Sequence, residues 1–75
     1  MTAIEDQLLQ TLLDLENTVT QMHTANPKPD LLPIFARLDD LAAQLPPDAP
    51  RDLRHYLQRK SYQKARVFLQ EQAAA

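Results

Sequence analysis

The chain is 75 residues long, with no cysteine, no glycine, six prolines and a formal net charge of −2. That length makes one domain, and the missing cysteine excludes disulfides, zinc–thiolate sites and thiol nucleophiles together. The missing glycine excludes P-loop and dinucleotide-binding fingerprints and disfavours tight β-hairpins, which need residues at positive φ.

The first helix is expected to start at Thr2. Thr2-Ala3-Ile4-Glu5 fits a capping box, in which the Thr hydroxyl and the Glu carboxylate each accept a backbone N–H. Glu5 and Asp6 also suit the positive end of a helix dipole. Ile4, Leu8, Leu12, Leu15, Val19 and Met22 recur every three or four residues, the spacing of one helical face. Leu9 and Leu13 widen that face. Ala25-Asn26-Pro27-Lys28-Pro29 ends the pattern, because a residue before proline is pushed out of the helical region.

A second helix is expected after Asp30, its N-cap, with Pro33 in the first turn where a missing N–H costs little. Its stripe is Leu31, Ile34, Phe35, Leu38, Leu41, Ala42 and Leu45, and Pro46-Pro47 ends it. A third start follows, with Asp48 or Ala49 at the cap and Pro50 in the first turn. Leu53, Tyr56 and Leu57 hold a helical spacing, and then the phase breaks. The next apolar residues are Tyr62, Ala65, Phe68 and Leu69, not Lys60, Ser61 or Lys64. Either the helix kinks near residues 59–61, or it stops there and Ser61 caps a fourth helix; the second reading is preferred.

Short connections make neighbouring helices antiparallel. The expected fold is all-α, a small antiparallel bundle of three to four helices spanning residues 1–72. A long helical hairpin is covered by the C-terminal helices, and residues 73–75 form a frayed tail. No apolar run approaches the roughly 18–20 residues of a membrane span. Met1-Thr2-Ala3-Ile4-Glu5-Asp6 lacks the basic and apolar regions of a secretion signal. A soluble, cytoplasmic protein is expected.

Charge is divided unevenly. Residues 1–50 hold Lys28 and Arg37 against Glu5, Asp6, Asp14, Glu16, Asp30, Asp39, Asp40 and Asp48, a balance of −6. Residues 51–75 hold Arg51, Arg54, Arg59, Lys60, Lys64 and Arg66 against Asp52 and Glu71, a balance of +4. The two halves can dock on each other, engage other protein chains including copies of this one, or present the bases to nucleic acid phosphates. The eight acids of the first half would repel a polyanion, which makes nucleic acid the weaker reading. The stiff Pro46-Pro47-Asp48-Ala49-Pro50 connection also does not suit a helix-turn-helix.

No catalytic constellation emerges. His23 and His55 are far apart in sequence and lack metal-ligand spacing. His23 suits a helix C-terminus, and His55 follows Asp52 at a spacing that permits a surface ion pair. Ser61 lacks a base and an oxyanion site. Adjacent carboxylates such as Asp39-Asp40 diverge by about 100° on a helix, so they do not share a proton. Phe35, Tyr56, Tyr62 and Phe68 fall on core stripes and are expected at the core margin. Tyr56 to Leu69, with a tyrosine ahead of Lys64-Ala65 and then apolar residues, resembles the end of a tetratricopeptide-type helical hairpin. The resemblance implies a helical pair and no more, since the small and glycine positions of that repeat are missing and no second copy exists.

The expectation is therefore a module that binds protein or itself, a homodimer being one form, without catalysis, cofactor, metal or evident small-molecule ligand. Nucleic-acid binding through the basic C-terminal helices is the alternative. The candidate partner-binding residues are Leu9, Leu13, Arg51, Arg54, Arg59, Lys60, Lys64 and Arg66. Leu9 and Leu13 enter because the first helix offers more apolar width than one short C-terminal segment obviously fills.

Overall fold

A computed structural model describes residues 2–22, 24 and 29–74. Expectations for His23, the 25–28 segment with Lys28, and Ala75 lie outside the described residues. Four helices follow one another: α1 (Ala3–Gln21), α2 (Leu32–Ala43), α3 (Arg51–Gln58) and α4 (Tyr62–Ala74). The described residues contain no strand. The protein is an all-α bundle, as the glycine-free sequence and its periodicity imply.

Local chemistry sets most helix ends. The Thr2 capping box is complete: Glu5 N–H donates to Thr2 Oγ1 at 3.2 Å, and Thr2 N–H donates to Glu5 Oε1 at 3.0 Å. Asp30 does accept a backbone N–H, from Leu32 at 3.0 Å. The residue immediately before α2 is nevertheless Leu31, whose carbonyl accepts the N–H groups of Ile34 and Phe35. The third start also lies later than expected. Pro46 to Ala49 close a turn through Ala49 N–H to Pro46 C=O at 3.0 Å, and Pro50 itself is the N-cap at ψ 132°. A proline at the second position of a turn is pre-set for it, so Pro47 takes Asp48 and Ala49 into the turn and out of the helix.

The phase break at residues 59–61 is a true stop. Lys60 N–H donates to Leu57 C=O at 3.1 Å and Ser61 N–H to Tyr56 C=O at 2.8 Å. Lys60 is left-handed at φ 57°. These two bonds and the left-handed residue make a Schellman motif, which satisfies the last carbonyls of a helix. Ser61 then precedes α4, its carbonyl accepting Ala65 N–H at 3.0 Å. Two residues expected in a frayed tail, Ala73 and Ala74, are the last two of α4 and are exposed.

α1 packs against both α2 and α4, and α3 packs against α4. Arg37 of α2 reaches Gln7 near the start of α1, while Pro33 and Ile34 lie beside Leu13 and Asn17 further along it. α2 therefore runs antiparallel to α1. α4 does the same, since its start at Tyr62 and Arg66 lies beside Leu15, Glu16 and Val19. The core is nine leucines (Leu8, Leu9, Leu12, Leu15, Leu38, Leu41, Leu53, Leu57, Leu69) around Ala65. Aromatic rings rim it. Phe35 stacks on Tyr62 at 5.8 Å between α2 and α4, and Tyr56 meets Phe68 edge-on at 6.4 Å between α3 and α4. Leucines alone specify a packing arrangement weakly, whereas paired rings prefer particular geometries. The two aromatic pairs thus help fix how α4 sits against its neighbours.

Candidate interaction surface

The expected excess of apolar width on α1 is smaller than the sequence implies. Leu9 belongs to the buried core, so it is not a surface residue and drops out as a direct contact for a partner. Leu13 is half-buried and lines an open groove of about 770 Å³ between α1 and α2, with Pro33 and Ile34 as its other apolar walls. Asp6 and Asp14 stand on the α1 side and Arg37 on the α2 side. Two buried or flanking threonines are spoken for: Thr11 Oγ1 donates to Gln7 C=O at 2.7 Å and Thr20 Oγ1 to Glu16 C=O at 2.9 Å.

Apolar side chains are also exposed away from this groove. Leu32 is the most exposed large hydrophobic among the described residues, at 71%, and begins α2 beside Pro33. Val19, on the apolar stripe of α1, is 44% exposed. It borders a smaller groove of about 320 Å³ with Leu12, Leu15 and Tyr62. Val67 is 41% exposed and forms a patch with Tyr56 and Phe68, beside Lys64 and Glu71. The signal for Leu32 and Val67 was in the sequence, since both are apolar residues off their helix's stripe.

The six C-terminal bases divide into two groups. Arg66 Nε pairs with Glu16 Oε2 at 2.8 Å, and its Nη1 donates to Gln70 Oε1 at 2.6 Å; its side chain is only 19% exposed. Lys60 Nζ lies 3.6 Å from Asp39 Oδ1 with both side chains well exposed, and Arg54 Nη1 donates to Pro47 C=O at 3.3 Å. These three bases are used within the chain. Two of them join the basic C-terminal half to the acidic hairpin, as one charge reading expected. Arg51, Arg59 and Lys64 are exposed and make no ion pair among the described residues. The spacing that permits an Asp52–His55 pair is not used. The His55 ring instead lies 6.2 Å from that of Tyr56.

No three His, Cys, Asp or Glu side chains gather among the described residues in a way that could hold a metal ion. Their buried side-chain nitrogens and oxygens all have hydrogen-bond partners. No described helix is long and apolar enough to cross a membrane. No family model, curated protein or solved structure matches the chain.

Proposed function

We propose that this chain is a small, non-catalytic module that binds protein, its own copies included, and works in the cytoplasm. The observation that carries the reading is the α1/α2 groove. Leu13, Pro33 and Ile34 form an apolar floor between charged walls, with Leu32 exposed at the start of α2. An apolar centre with a polar rim is the usual anatomy of a protein interface. Leu13 and Ile34 are half-buried and Leu32 is exposed, so the apolar surface here is open to a partner without unfolding of the chain.

The test is saturable binding of protein, self included, by the intact chain and by Leu32→Glu and Leu13→Gln variants. Leu32→Glu changes a surface side chain and should alter stability by no more than about 0.5 kcal/mol. Binding that both variants weaken, with helical content unchanged, supports the proposal. Binding of no protein, or binding indifferent to both substitutions, overturns it.

A second reading has one favouring observation, the three unpaired bases Arg51, Arg59 and Lys64. A nucleic-acid interface built on them would show salt-dependent retention, with a slope of about −0.9 per phosphate contacted on duplex DNA. Absence of retention at low salt removes it.

A further inference from the structure

We infer that the outer face of α4 is where a second copy of this chain docks its own α4, antiparallel, about a two-fold axis between Val67 and Phe68. The inference rests on the reading of the chain as a module that binds its own copies, but it uses a face other than the α1/α2 groove.

The first observation is an apolar patch off the core stripe. Val67 is 41% exposed, and with half-buried Tyr56 and Phe68 it lines an open hollow of about 530 Å³ edged by Gln63, Lys64 and Glu71. Lys64, Val67, Phe68 and Glu71 are spaced i, i+3, i+4 and i+7, within about 100° of the helix circumference. Buried Ala65 and Leu69 are centred about 130° away around the same helix. One face of α4 is thus committed to the core, and a second presents two apolar side chains between a base and an acid.

The second observation is that this face is complementary to itself. The midpoint of Lys64 and Glu71 falls between Val67 and Phe68. Half a rotation about that point, with the helices antiparallel, exchanges the two ends. Lys64 then stands level with the partner's Glu71, and Glu71 with the partner's Lys64, each about 5 Å along the helix from the axis. Val67 and Phe68 meet their own counterparts at the centre. A two-fold contact requires this reciprocity, residue i meeting j and j meeting i. Sliding one helix by a turn separates both pairs, so the charges also set the register.

The third observation is that both charges oppose their own helix dipole. Lys64 is the third residue of α4, near its positive end, and Glu71 is the fourth from last, near its negative end. Neither makes an ion pair among the described residues. A second copy supplies each with the opposite charge.

Sedimentation equilibrium on the intact chain tests the pairing, with Lys64→Glu, Glu71→Lys, the double exchange of both, and Val67→Glu. Lys64 and Glu71 are exposed, and each single exchange suits the helix dipole. Circular dichroism checks that every variant keeps its helices. A contact over about two turns of helix is of the small, transient class, so the chain is followed up to about 1 mM. The wild type should associate over that range and dissociate with added salt. Each single exchange sets like charges together at both ends of the contact and should weaken association about tenfold. The double exchange should associate like wild type, and so should an equimolar mixture of the two single variants. Val67→Glu sets two carboxylates together at the axis and should abolish association.

A wild type that stays monomeric throughout overturns the inference. So do single exchanges that associate like wild type, or a double exchange as weak as the single ones, since only a two-fold contact restores itself in that way. Association lost in Leu13→Gln and kept in Val67→Glu overturns it too, by placing the contact in the α1/α2 groove. Each of these failures leaves binding of a different protein by that groove, read through Leu32→Glu and Leu13→Gln, as a separate question.

Discussion

Replacing Lys60 with glycine should make the protein more stable, although it deletes an ion pair. Lys60 is the left-handed residue of the α3 stop, at φ 57°. A side chain with a Cβ costs about 1–2 kcal/mol in that region. Glycine removes the clash but loses more backbone freedom on folding, a penalty of about 0.5–1 kcal/mol. The Lys60–Asp39 pair is 3.6 Å long with side chains 64% and 66% exposed. An exposed pair of that kind contributes at most a few tenths of a kcal/mol. The net expectation is a gain of about 0.5 kcal/mol, up to about 1. For a domain of this size that is a rise in Tm of about 2–8 °C. Thermal unfolding followed by circular dichroism measures it, and Lys60→Ala is the control. Alanine also loses the ion pair but keeps the Cβ, so it should melt at or slightly below wild type. If Lys60→Gly melts no higher than Lys60→Ala, the strain at Lys60 is not what limits this turn.

Thr2→Ala should cost about 1 kcal/mol by removing one half of the capping box. The first turn of α1 should then exchange its amide hydrogens faster than the rest of that helix. Leu53→Ala and Leu69→Ala each empty a fully buried site and should cost about 2–5 kcal/mol. That is a large part of the roughly 4–11 kcal/mol expected for a chain of this length, so chemical denaturation should begin at far lower denaturant. A double-mutant cycle on Arg66 and Glu16 should give a coupling of about 0.5–1 kcal/mol that shrinks with salt, since Glu16 is half exposed. A coupling indistinguishable from zero at low salt would mean that this pair does not help dock α4.

The sequence by itself determined the helices, because their signals are local. The Thr2–Glu5 reciprocity lies within one turn. Pro46 and Pro47 end α2 by their own ring geometry, whereas Pro50, expected inside the first turn of α3, is its N-cap. The shift of apolar phase after Leu57 marks a stop, and the backbone bonds of Lys60 and Ser61 carry it out. What local signals do not encode is which parts of a wide apolar face find a neighbour. α1 has 19 residues and α2 has 12. The longer helix therefore overhangs the shorter by about 10 Å at 1.5 Å per residue. Tertiary packing put Leu9 in the core. It left Val19 beside the first turn of α4, where no further turn of that helix extends to cover it. It also decided which bases serve the chain itself, since Arg66 meets Glu16 only because α4 returns antiparallel along α1. Residues distant in sequence acquire an address only when helices of unequal length are laid side by side, and that placement created the groove proposed to receive a partner.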